Sequence, residues 1–442
     1  MSGTAVPAAT PAAGGRDGPR PAAGDRQPVT IADVTVDGGL TVVTEAVPDA
    51  RSVTLGFWVG TGSADEAAPL WGASHFLEHL LFKGTEERSA RSISEAVDAV
   101  GGDLNAYTTK EYTSFYVRLT ADRLELGLDI LSDILWTPAL RPDELESERQ
   151  VILEEINMHN DEPADLVHEV LAASMWPSHT LGREVLGDCH TIRAMTRDQI
   201  SAFHTEHYRP ANVVFAAAGA LDHERVAEGV AKRLDGRAGG TRPERSAPGS
   251  PQGGRAVVDR DTEQAHIAVG LPALPRQDER RYALSILDHV LGGGMSSRLF
   301  QTIREERGLA YSVYSYRQSY EHAGALVVYA GTSPERAKEV LGLVHAELDQ
   351  MAASGITGAE LDVARGHLSG SLVLGLEDSG SRMSRIGHAR LSHGRVPTVE
   401  ELEARFHAVS VEEVAALAAE LLAGPRSVAV VGPFDDDSVA RR

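Results

Sequence analysis

His75-Phe-Leu-Glu78-His79 is the stretch from which the rest of the chain is read. It places two imidazoles and a carboxylate within little more than one helical turn. Residues four apart share a face of a helix, so His75 and His79 point the same way. That spacing suits two ligands of one tetrahedral zinc ion, and Glu78 then stands where a general base on zinc-bound water is needed. The neighbours Phe76, Leu77, Leu80, Leu81 and Phe82 are apolar. Residues 73–82 contain no helix breaker, and Gly84 follows as a C-terminal stop. A polar triple set in an apolar helix is costly to bury without a purpose. The bland alternative is that these side chains share a core helix by chance.

A catalytic zinc usually has three protein ligands and one open position. The third is sought in Glu146-Ser-Glu148-Arg-Gln-Val-Ile-Leu-Glu154-Glu155-Ile. This reads as a long helix starting at Pro142-Asp143. Leu145, Val151, Ile152 and Ile156 are expected to form its buried stripe. Glu148 and Glu155 are seven apart, about two turns, and share a face. Glu154 lies about 100° away and is expected in solvent. Solvent is the usual place for any single one of these carboxylates.

Taken together, three motifs resemble the pitrilysin/insulinase family of zinc metallopeptidases, which includes mitochondrial processing peptidase. They are His75-Phe-Leu-Glu-His79, Gly101-Gly-Asp-Leu-Asn105-Ala106-Tyr-Thr, and Glu148-Arg-Gln-Val-Ile-Leu-Glu-Glu155-Ile. The first has the order H-x-x-E-H of the inverted zincins. The resemblance runs along nearly the whole chain after about residue 30. It implies that His75, His79 and Glu155 bind one zinc, that Glu78 is the catalytic base, and that Glu148 orients a ligand from behind. It also implies that Asn105 and Ala106 line the cleft and pair with an extended peptide. Read without the resemblance, Asn105 is a turn residue.

Length and composition agree with this. At 442 residues, two or more domains are expected, and 42% hydrophobic residues is a globular composition. The formal charge of −22 argues against nucleic-acid binding. It would suit basic peptides, although solubility alone accounts for it. The single cysteine, Cys189, allows no disulfide within the chain and fits a reducing compartment. Residues 1–29 are rich in Ala, Pro and Gly and lack an apolar signal region, so a disordered tail and a cytoplasmic protein are expected. No stretch approaches the ~18 apolar residues of a membrane span.

Residues 236–256 read as a linker rich in Gly and Pro. The flanking segments, 30–235 and 257–442, look duplicated. The expected fold is α+β: two α/β sandwich units, each a mixed sheet packed with helices. The strand-like run 52–59 in the first half is matched by 266–271 in the second, and 212–219 is matched by 427–432. At the motif, His75-Phe-Leu-Glu-His79 lines up with Ser285-Ile-Leu-Asp-His289. Ala364 then falls where Glu148 stands, and Ser371 where Glu155 stands. The first half is therefore expected to be catalytic, and the second an inactive copy that holds substrate.

The segment from Gly294 to Tyr311 resembles the family stretch that supplies an arginine and a tyrosine, seven apart, to the cleft. By that resemblance Arg304 holds substrate and Tyr311 donates to the developing oxyanion. The residues alone read as a solvated arginine and a core tyrosine. A homodimer of self-sufficient subunits acting on peptides or extended polypeptide is expected, by resemblance, because this chain has only two α/β units, half of what the large single-chain relatives enclose a cavity with. The alternatives are a catalytically silent or partner-dependent scaffold of the same fold, and a structural zinc domain. The second needs a fourth ligand, and none is evident near the triad.

Overall fold

The computed structural model describes residues 29–249, 251, 253–434 and 439. The N-terminal tail, apart from Val29, lies outside the described residues. The first half runs β1 (Thr30–Thr35), β2 (Thr41–Ala46), β3 (Ser52–Val59), α1 (Ala73–Leu81), α2 (Ala90–Asp98), β4 (Asp103–Thr108), β5 (Thr113–Thr120), α3 (Leu124–Trp136), α4 (Pro142–Asp161), α5 (Pro163–Met175), α6 (Cys189–Ala194), α7 (Arg197–His207), β6 (Val213–Gly219) and α8 (His223–Arg233). The second runs β7 (Arg255–Asp259), β8 (Ala265–Ala273), α9 (Arg281–Leu291), β9 (Ala310–Ser319), β10 (Gly324–Thr332), α10 (Ala337–Ser354), α11 (Gly358–Gly375), α12 (Ser379–His393), α13 (Val399–Ala408), α14 (Val411–Leu422) and β11 (Ser427–Gly432). The segment read as a linker to 256 therefore ends earlier, because Arg255 already pairs with Val428.

The duplication is visible in the strand order. The first sheet runs β1-β2-β6-β3-β5-β4 and the second β7-β11-β8-β10-β9. Apart from β1, the two orders superpose term by term. Each sheet has one parallel pair, β2 with β6 and β7 with β11; the other pairs are antiparallel. The fold is thus the mixed α+β arrangement expected from the sequence.

Helices cover both faces of each sheet, and the second face is where the halves interlock. Along β6, Val213, Phe215 and Ala217 face the first core, while Val214, Ala216 and Ala218 face the other way. An uninterrupted apolar run is what a strand buried on both faces requires. The outward face, with Val43 and Trp58, is covered by Met383, Ile386 and Leu391 of α12, from the second half. In exchange, Leu166, Val167, Leu171 and Met175 of α5 cover Ala268, Ala325, Val327, Tyr329, Ala429 and Val431 of the second sheet. The halves are therefore not separate sandwiches divided at the linker; each needs a helix of the other.

Close approach marks both exchanged helices. A Cβ on Gly56 of β3 would lie 2.8 Å from the Met383 sulfur, and one on Gly270 of β8 2.4 Å from the Met175 sulfur. Polar links reinforce the first contact. Thr54 and Ser379 hydroxyls are 2.9 Å apart, and buried Glu45 pairs with Arg382 and Arg385 of α12. On α12 itself, a Cβ at Gly387 would lie 2.2 Å from Trp58 Nε1. Glycine to alanine within a helix normally stabilises by about 1 kcal/mol. Gly387→Ala is instead expected to destabilise by about 1–3 kcal/mol, the cost of overpacking. Urea unfolding checks the sign, and a stabilised variant would mean that α12 does not seat on Trp58 as described.

Candidate active site

Helix α1 enters from Gly72, whose φ of +97° favours glycine. Its N-terminus is capped by a side chain from the preceding loop. Glu66 accepts the N–H of Gly72 and that of Ser74, each at 2.7 Å. The buried apolar residues Phe76, Leu77, Leu80 and Leu81 hold the helix against the first core. The half-buried His75, Glu78 and His79 remain on its other side.

Helix α4 packs against α1, with Arg149 stacked over the Phe76 ring. Its buried stripe is Leu145, Glu148, Arg149, Ile152, Leu153 and Ile156. Val151 was expected in this stripe, but it is 42% exposed. The face that meets α1 is centred on Glu148 and Ile152, and the helical period turns Val151 away from it. Glu154 faces solvent, as expected, and Glu155 is half-buried.

The two helices bring three donor atoms together. His75 Nε2 and His79 Nε2 are 3.3 Å apart. Glu155 Oε2 is 3.7 Å from the first and 3.4 Å from the second. A tetrahedral ion with zinc–ligand bonds of about 2.0–2.1 Å sets its ligand atoms about 3.3–3.4 Å apart. The donor set thus has the composition and spacing that such an ion needs. Glu155 Oε2 is also buried without a hydrogen bond, an arrangement that costs energy unless something else is bound there. Burial, with His79 beside it, pushes His75 down to about 3, so the ring is neutral and keeps a lone pair.

His79 Nδ1 donates to Glu148 Oε2 at 3.0 Å, which leaves Nε2 to face the other donors. Glu148 is buried and meets Lys83 Nζ through its other oxygen at 2.7 Å. Glu78 sits on the same turn as His79. Thr108 at the end of β4 donates to Glu78 Oε2 at 2.5 Å. Burial raises the Glu78 carboxyl, and the hydrogen bond from Thr108 works against that rise.

Sequence reading missed Lys83, Thr108 and Glu66. Lys83 follows His79 by four places, a helical spacing hidden because α1 ends at Leu81. Thr108 closes the quoted Asn105-Ala-Tyr-Thr stretch. Glu66 carries no local signal.

Asn105 and Ala106 lie on β4 rather than in a turn; β4 is the outermost strand of its sheet and pairs only with β5. Tyr311 lies on β9 but not in the core: it is 82% exposed. The Arg304 guanidinium lies 4.9 Å from the Tyr311 ring centroid. Among the described residues, neither bonds to His75, Glu78, His79 or Glu155. In the second half the aligned positions hold no donor cluster. Ala364 is buried, and Ser371 faces solvent. Arg317 bonds to both Ser285 and Asp288, at 2.9 and 3.0 Å, placing its own cation there.

Comparison with known proteins agrees with this layout. The profile of the insulinase family (peptidase family M16) matches residues 41–189, and that of the peptidase M16 inactive domain matches 194–368. An uncharacterized zinc protease of Streptomyces coelicolor is 44% identical over 93% of this chain and 92% of its own. Another, of Mycobacterium tuberculosis, is 45% identical over 90% of this chain and 92% of its own. The uncharacterized zinc protease YmxG of Bacillus subtilis is 38% identical over 90% of this chain and 97% of its own. Among solved structures, a peptidase M16 inactive domain from Pseudomonas fluorescens superposes with a TM-score of 0.87 at 22% identity, covering 93% of this chain and 99% of that one. A Helicobacter pylori protease gives 0.85 at 22% identity, covering 91% and 99%; both show the fold. With both halves matched in order and relatives this similar along nine-tenths of the chain, the protein belongs to the M16, or insulinase, family of peptidases.

Proposed function

We propose that this chain is a zinc-dependent endopeptidase acting on peptides or extended polypeptide segments. One observation carries the reading: three donor atoms from two helices converge to 3.3–3.7 Å, with the Glu78 carboxyl on the helix of the two histidines. The zinc proteases among the relatives support it. His75, His79 and Glu155 hold the ion. When bound, zinc supplies Lewis acidity that acidifies water and polarises a peptide carbonyl. Glu78 takes the proton of the attacking water and passes it to the leaving amine. Thr108 holds one oxygen of Glu78 and so aims the other. Glu148, balanced by Lys83, fixes the ring of His79.

Substrate enters as an extended strand. The outer edge of β4 is open to such a strand, and there the Ala106 N–H donates to the Asn105 side-chain oxygen at 2.8 Å, a bond that an incoming backbone carbonyl would replace. Tyr311 donates to the developing oxyanion and Arg304 holds the substrate backbone, in a homodimer; these roles rest on the resemblance. No helix among the described residues is long and apolar enough to cross a membrane.

Metal removal tests the proposal. Treatment with a chelator is expected to abolish cleavage of an unfolded polypeptide, and added zinc to restore it. Cleavage that persists in fully stripped protein would refute a zinc mechanism.

A further inference from the structure

We propose that His159, Glu169 and Glu184 form a second divalent-metal site, distinct from the His75, His79 and Glu155 set. The three side chains come from three segments: the last turn of α4, the middle of α5, and the loop before α6. One donor atom from each lies within 4.8 Å of the other two. Among the described residues, one other such cluster exists, and it is His75, His79 and Glu155.

A second observation points to a ligand. Among the described residues, only two carboxylate oxygens are buried without a hydrogen bond, Glu155 Oε2 and Glu169 Oε1. Only two imidazole nitrogens share that condition, His75 Nδ1 and His159 Nδ1. Glu155 Oε2 is a donor of the first centre, whereas His75 meets that centre through Nε2; His159 Nδ1 and Glu169 Oε1 both belong to this cluster. His159 Nδ1 and Glu169 Oε1 are in close contact, yet they lack the alignment of a hydrogen bond. The contact is closer than the roughly 3.3–3.4 Å that separates two ligands of one zinc, so an ion seated between the two groups would part them.

Space agrees. The cluster lines a cavity of about 430 Å³ that also meets Trp71, Asn160 and Cys189. This leaves room for water to complete the coordination of an ion. The ammonium of Lys110 lies near Glu169 and Glu184 and donates to the carbonyl of Arg183. One imidazole with two carboxylates is a donor set for zinc or manganese rather than for calcium. The competing account is an ion pair between His159 and Glu169 that pins α4 to α5. A metal there would do more: it would fix the end of the helix carrying Glu148 and Glu155 against the helix that crosses to the second sheet.

The test counts metal and does not depend on activity. Stripped full-length protein is dialysed against zinc, and bound metal is measured by elemental analysis. Wild type is expected to hold about two ions per chain, and Glu169→Gln and His159→Ala about one each. The His75→Ala/His79→Ala double variant should also hold about one, and Glu169→Gln should keep its peptidase activity. Thermal melts of the stripped variants show that they are folded. Two ions in both wild type and Glu169→Gln, or one in both, overturn the proposal. One ion in wild type that is lost in Glu169→Gln but kept in the double variant upholds it, and overturns the first centre as the zinc site instead.

Discussion

Glu78→Gln is expected to lower kcat for peptide cleavage about 10²–10⁴-fold, the range assigned to a general acid–base group. The substitution preserves shape and removes only the ability to take a proton. Thr108 can still donate to the amide oxygen, as it does to Glu78 Oε2, which turns the amide nitrogen toward the position of the attacking water. Metal content should be unchanged, because Glu78 is not among the three converging donors. Folding should not suffer either, since burial already disfavours the charged form of this carboxyl. Elemental analysis, a thermal melt and steady-state kinetics on one preparation separate these effects. A variant with kcat within a few-fold of wild type would remove Glu78 from the mechanism. A variant that loses its metal would make Glu78 a ligand.

The second large effect concerns the halves. A chain ending at residue 249 is not expected to fold alone, although it contains every strand of the first sheet and both helices of the candidate site. Without α12 it exposes Val43, Trp58 and Val214, together with Ala216 and Ala218. Its own α5 loses the second sheet and exposes Leu166, Val167, Leu171, Met175 and Trp176. Burying one such large side chain contributes about 1.5–3 kcal/mol. Eight of them amount to roughly 12–24 kcal/mol, as much as the typical net stability of about 5–15 kcal/mol. The expected result is an aggregated or molten fragment by size exclusion and near-ultraviolet circular dichroism. Co-expression with the remaining residues should restore a compact complex. A monomeric fragment with a cooperative melt would show that the exchanged helices do not determine stability.

Much of the candidate site was legible because its converging donors sit on two regular helices. Four residues separate His75 from His79 and seven separate Glu148 from Glu155, and helical geometry converts such intervals into shared faces. The strands were legible for a similar reason: a run such as Val213–Gly219 can only be satisfied by burial on both sides. Val151 was misplaced because an apolar residue in a mixed helix says nothing about which face the neighbouring helix will choose. Here α1 selected the face carrying Glu148.

Partners far apart in sequence were the part that stayed hidden. Thr108 meets Glu78 across 30 positions, and His79 meets Glu148 across 69. Ser379 meets Thr54 across 325. His159 carries no spacing signal in the sequence; its neighbours Glu169 and Glu184 lie 10 and 25 positions further on.

By itself, the sequence determined the elements, their apolar faces, the duplication and the ligand-bearing helices, because each follows from periodicity within a few turns of chain. Only the tertiary structure decided that α5 and α12 change places between the halves, and which polar groups meet at the two clusters. Hydrophobic attraction is non-directional: a local pattern shows that a face must be covered, and the packing of the whole chain selects what covers it.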